Sequence, residues 1–108
     1  VSSNFETSRL NFDAKLRSIL GNSNTYFQPP ENLKIKYPAI IYSLDGLDTD
    51  HADNLWYRFG YRFEVQHIHS DPDVEIMDSM RTKFTYSRFD RRFVSDNLYH
   101  DVYTIYYK

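Results

Sequence analysis

Residues 57–69 read YRFGYRFEVQHIH, the longest strand signal in the chain. Tyr57, Phe59, Tyr61, Phe63, Val65 and His67 alternate with Arg58, Gly60, Arg62, Glu64, Gln66 and Ile68, so successive side chains leave an extended backbone on opposite faces. One face is apolar and aromatic; the other is mostly charged. At roughly 3.3 Å per residue the run reaches about 40 Å, more than one small core covers from end to end. Part of it is therefore expected to project beyond the core, with Gly60 marking a bulge or bend where the strand leaves the main sheet. We read this stretch as the spine of an antiparallel sheet.

The segments before it supply a helix and the spine's neighbours. Residues 1–6 are polar apart from Phe5 and are expected to be loose. From Thr7 or Ser8 the pattern turns helical: Phe12, Leu16, Ile19 and Leu20 recur at i, i+4, i+7 and i+8, and Gly21 is placed to stop the helix. Residues 25–28 (TYFQ) form a short strand, held brief or at an edge by Pro29 and Pro30, which donate nothing to a ladder. Residues 31–37 cross as a polar loop. A firm strand follows Pro38 over residues 39–44 (AIIYSL), with Ile40, Tyr42 and Leu44 on its apolar face. Residues 45–54 (DGLDTDHADN) are too polar for a core and form the tip of a long hairpin with the spine.

Beyond the spine, residues 70–73 (SDPD) read as a helix start, with Asp71 as N-cap and Pro72 at the first helical position. Val74, Met77, Met80 and Phe84 give that helix an apolar stripe. Residues 85–93 make a strand with basic edges, 95–97 a turn, and 99–107 the last strand. The plan is one α+β domain over residues 1–108. Its mainly antiparallel sheet carries two helices on one face, in the order α-β-β-β-α-β-β.

Composition narrows the function classes. A chain of 108 residues with formal charge −2 has no global attraction to nucleic acid or anionic membrane. No cysteine is present, which removes disulfides, thiolate ligands and a cysteine nucleophile. No apolar run approaches the ~20 residues of a membrane helix, and no basic-then-apolar leader opens the sequence, so a soluble, intracellular protein is expected. Aromatic residues make up 18% of the chain, a mixture that suits sheets and interfaces.

Three constellations invite chemistry. His67 and His69 share one strand face, with His51 and His100 elsewhere in the chain, but no third ligand follows from the spacing and the expectation is no metal. Asp45, Asp48, Asp50 and Asp53 gather carboxylates on one segment. They lack the alternation, central glycine and closing Glu of an EF-hand loop. A solvated tip that meets a basic protein surface is the better reading. Arg88, Arg91 and Arg92 interleave with Tyr86, Phe89 and Phe93. In a net acidic chain this is an ordinary charged sheet face or a subunit contact before it is a nucleic-acid site. A Gly-rich phosphate loop and a nucleophile elbow are both missing, so no enzymatic role and no cofactor are expected. Trp56, Tyr57, Phe59, Tyr103 and Tyr107 stand as candidates for a subunit interface, with packing inside their own core as the alternative.

Several phrases carry a family resemblance: Thr25-Tyr26-Phe27-Gln28-Pro29-Pro30-Glu31-Asn32, Tyr37-Pro38-Ala39-Ile40-Ile41-Tyr42, Ala52-Asp53-Asn54 and Asp71-Pro72-Asp73. In these phrases and in the order of its segments, over roughly residues 16–107, the chain resembles the tail terminator, or tail-completion, family of long-tailed phages and prophages of Gram-positive bacteria. The resemblance implies a virion protein of the tail-neck junction, assembled in the host cytoplasm as a homo-hexameric ring. It would end growth of the tail tube and present a joining surface to the head connector. Its partners would be itself, the tail-tube protein and the head-connector or head-closure protein, with no membrane and at most transient contact with DNA in the channel. The family has no short catalytic signature, so no active-site residue carries over. Another small neck protein, or a non-phage adaptor or inhibitor that acts through a sheet edge, is the alternative.

Overall fold

In a computed structural model that describes residues 4–48 and 60–107, two helices cover one face of a five-stranded, mostly antiparallel sheet. Helix α1 (Asn4–Leu20) precedes strands β1 (Thr25–Phe27), β2 (Ala39–Asp48) and β3 (Gly60–His69). Helix α2 (Ile76–Thr82) and strands β4 (Tyr86–Ser95) and β5 (Leu98–Tyr107) follow. The sheet order is β1-β2-β3-β5-β4. Only β1 runs parallel to its neighbour β2. The α+β class and the element order match the sequence reading.

The spine alternation does what its period dictates. Phe63 and Val65 are fully buried on the helix side, beside Ile40 and Tyr42 of β2 and Tyr103 and Ile105 of β5. Helix α1 lays Phe12 onto this floor, with its ring 4.5 Å from that of Phe63 and edge-on to Tyr42 and Phe84. Full burial of such a ring contributes about 1.5–3 kcal/mol. The helix begins earlier than its stripe predicts, and is already formed at Asn4. Phe5 lies one heptad before Phe12 and packs against Phe27, Tyr61 and Phe63, so its apolar contacts hold the first turns against the sheet.

Four further expectations are corrected. The bulge interrupts β2, where Asp45 is the extra residue between Leu44 and Gly46; Gly60 pairs in register with Asp48. Strand β2 therefore runs to Asp48, so Asp45 and Asp48 belong to a strand and not to a tip. Leu44 is 37% exposed at the sheet's rim and not part of the core. Helix α2 starts at Ile76 with Glu75 as its N-cap and no side-chain cap bond. The Asp71 carboxylate instead accepts the Asp73 N–H, a local turn that competes with helix. At the other end of the chain, Asp96 and Asn97 both take positive φ, 52° and 62°. They join β4 to β5 in the two-residue turn that suits the twist of a hairpin.

Arg17 ties α1 to the edge of the sheet. It bonds Asp13 one turn back and donates to the carbonyls of Ser23 (2.8 Å) and Thr25 (3.0 Å). Asp13 in turn accepts the Tyr42 hydroxyl at 2.6 Å. Burial and this carboxylate together push the Tyr42 phenol well above its ordinary range. The edge β1 offers outward is partly occupied by this bond to Thr25.

Candidate functional site

Strand register brings together a polar cluster at the end of the apolar face. His67 sits opposite Asp101 and His69 opposite Tyr99 on β5, while Arg92 of β4 faces Asp101 from the other side. Arg92 reaches that face because β4 carries a bulge between Phe89 and Arg91. The extra residue, Asp90, shifts the alternation by one, so that Arg91 and not Arg92 falls in phase with Arg88. The three arginines are thereby divided: Arg88 and Arg91 share the face away from the helices, and Arg92 enters the covered side.

Asp101 is fully buried and fully engaged. Arg92 donates Nε to Oδ1 at 2.6 Å and Nη2 to Oδ2 at 3.1 Å, and His69 donates Nε2 to Oδ2 at 2.7 Å. Burial alone would raise this carboxyl; the Arg92 and His69 bonds outweigh it and hold the group below its ordinary value. The Asp71 N–H donates to His69 Nδ1 at 3.2 Å, which assigns the His69 proton to Nε2. Arg92 also donates Nη1 to the Pro72 carbonyl at 2.8 Å. His67 stacks on His69 with ring centres 4.4 Å apart. Its Nδ1 is buried with no hydrogen-bond partner among the described residues. Burial, with His69 beside it, lowers its pKa to about 4.

The donor atoms of His67, His69 and Asp101 lie within 4.8 Å of one another, a set chemically able to hold a divalent cation. Two features of the geometry oppose that use. The His69 lone pair on Nε2 is replaced by a proton fixed through the Asp71 N–H, and a guanidinium already neutralises the carboxylate. Proton transfer to a substrate meets the same obstacle, because both His69 nitrogens are committed within the fold. The cluster instead anchors the 71–72 turn, which leads into α2, to β5 and β4. Sequence reading saw the two histidines, missed Asp101, and grouped Arg92 with Arg88 and Arg91 on a charged sheet face instead of with the cluster. The available signal was Asp101 itself, the one acid in phase with Tyr99, Tyr103, Ile105 and Tyr107.

The other predicted positions scatter. His100 lies on the opposite face, stacked on Phe93. Tyr103 is fully buried and edge-on to Phe89, and Tyr107 packs on Phe12 and Phe84. Both serve their own core, because the in-phase positions of β5 lie under the helices. Asp45 bonds Arg62 across the β2–β3 ladder at 3.1 Å. His51, Asp50, Asp53, Trp56, Tyr57 and Phe59 lie outside the described residues, and of Asp48 only the backbone is described.

Surface features concentrate on β4, an edge strand of ten residues. Phe89, Phe93 and Val94 are exposed to 36%, 36% and 64%, and Arg91 lies over the Phe93 ring at 5.6 Å. Arg88 reaches into solvent while its Nε holds Asp90 at 2.7 Å, and Thr104 donates to the same carboxylate at 2.6 Å. Among the described residues no helix is long and apolar enough to cross a membrane. No family model, curated protein or solved structure matches the chain.

Proposed function

We propose that the chain is a structural protein of a phage neck, a tail terminator that forms a ring on the end of the tail tube, stops its growth and offers the joining surface to the head connector. One observation carries the reading. Two phrases of the family resemblance, 25–32 and 37–42, are separated in sequence but meet in one parallel strand pair, with Thr25, Tyr26 and Phe27 opposite Ile40, Ile41 and Tyr42. A third, 71–73, is bonded to β3 by His69 and to β4 by Arg92. Resemblance that converges on shared three-dimensional units is stronger support than scattered turn residues. The polar cluster is occupied by structural bonds, and the prominent surface feature is a sheet edge, as self-assembly and docking need.

Polymerisation of the tail-tube protein, followed by negative-stain imaging with and without this chain, tests the reading. Tubes that stop growing and carry a ring at one end are the expected result. Tubes of unchanged length with bare ends would overturn it. The outer side of β4, unpaired among the described residues, also favours a second reading, an adaptor that adds a strand to a different protein; unchanged tubes would move the assignment there.

A further inference from the structure

We infer that residues 33–37, LKIKY, add as a strand to an acidic sheet edge of a different protein. The inference is independent of the ring reading, which concerns how copies of this chain meet. Leu33, Ile35 and Tyr37 alternate with Lys34 and Lys36, the period of a strand with one apolar and one charged side, yet the segment belongs to no helix or strand of the fold. Leu33 and Tyr37 are 42% and 48% exposed, and both lysines are exposed. The Leu33 N–H closes a turn on the Pro30 carbonyl at 3.1 Å, whereas the N–H groups of residues 34–37 have no backbone partner among the described residues.

Topology holds this segment at the rim. Strands β1 and β2 run parallel, so the loop that joins them doubles back along the length of β1, at the edge of the sheet. Pro29 and Pro30 precede it and Pro38 follows, and Pro38 keeps Tyr37 out of helical backbone. A strand pattern tethered at both ends, with its backbone donors open, loses less freedom on pairing than a loose tail does.

Charge then selects the occupant. Among the described residues neither Lys34 nor Lys36 has a carboxylate within ion-pair distance. Lysines on an unpaired strand pattern discourage indiscriminate pairing and favour a ladder neighbour that carries acids. A second copy of this chain offers no such edge among the described residues. On β4, Asp90 is held by Arg88 and Thr104, which leaves Arg91 as the charge without an opposite partner; at β1, Arg17 holds the Thr25 carbonyl. The occupant is therefore a strand of another protein with acids at alternate positions and apolar residues between them. Its acids meet Lys34 and Lys36, and its apolar side chains meet Leu33, Ile35 and Tyr37.

Short blocked peptides of alternating glutamate and valine, and of alternating lysine and valine, added to the nitrogen-15-labelled chain, test this. The glutamate peptide is expected to shift the amide resonances of residues 33–37 and to slow exchange at every second N–H among them, as a ladder does. The lysine peptide is expected to do neither. Lys34→Glu/Lys36→Glu alters exposed side chains only, and is expected to weaken binding of the glutamate peptide at least about tenfold while the dispersed spectrum of the fold is kept. Shifts with exchange unchanged at every amide of 33–37 would show a charge contact without strand pairing and overturn the inference. So would protection that falls on β4 instead, or equal binding of the two peptides.

Discussion

Asp101 shows how one residue is held by the rest. Its carboxylate has no solvent, and both oxygens depend on Arg92 and His69. Breaking such a pair leaves an uncompensated charge, so Arg92→Met should destabilise the fold by on the order of 3 kcal/mol in urea titrations. His67 gives a second prediction. Its pKa is near 4 in the fold against 6.5 in the unfolded chain, so the unfolded state binds more protons between those values. Stability is therefore full above pH 6.5 and falls as pH drops toward 4, by about 3 kcal/mol over the window. His67→Gln should flatten the decline between pH 7 and pH 5, measured by denaturant midpoint. Asp101 acts in the same direction but lower, where its depressed carboxyl finally takes a proton, so that arm persists in the variant. The histidine pair was legible in the sequence as two in-phase imidazoles. Its partners were not, because strand register, and not spacing along the chain, brings Asp101 and Arg92 to them.

The elements divide by how local their causes are. The period-two run of β3, the i, i+4, i+7 stripe of α1 and the Asp96-Asn97 turn are local patterns, and each was readable in advance apart from boundaries. The two bulges were not readable: each arises from how a strand matches a neighbour distant in sequence, and the one in β4 determines which arginine enters the core. The N-terminus of α2 was misplaced for the opposite reason, since Asp71 satisfied its neighbour's N–H locally and delayed the helix. Helix α1 offers a contrast within one element. Phe12→Ala should cost ~3–5 kcal/mol by opening a cavity among four rings, whereas Leu10→Ala, at 52% exposure, should stay within about 0.5 kcal/mol. Arg17→Met should loosen β1 specifically, with faster amide exchange at Gln28 and Ile40, the residues whose N–H groups close the β1–β2 ladder.

At the scale of the molecule, the helices seal one face of the sheet and Arg17 holds one carbonyl at its β1 edge, while among the described residues no strand pairs with the outer side of β4. That asymmetry is what a subunit needs if it is to join copies through unlike faces. Composition excluded the thiol chemistries and suited an interface, and the family phrases motivate the proposed neck role; the edge position of β4 became visible only with the strand order. The measurement that bears most directly on the central claim is the mass and shape of the purified protein, alone and mixed with the tail-tube protein, by light scattering and negative-stain imaging. The account predicts a closed ring in at least the mixed sample, seated on tube ends. A monomer in both, with tubes growing to unchanged length, would contradict it.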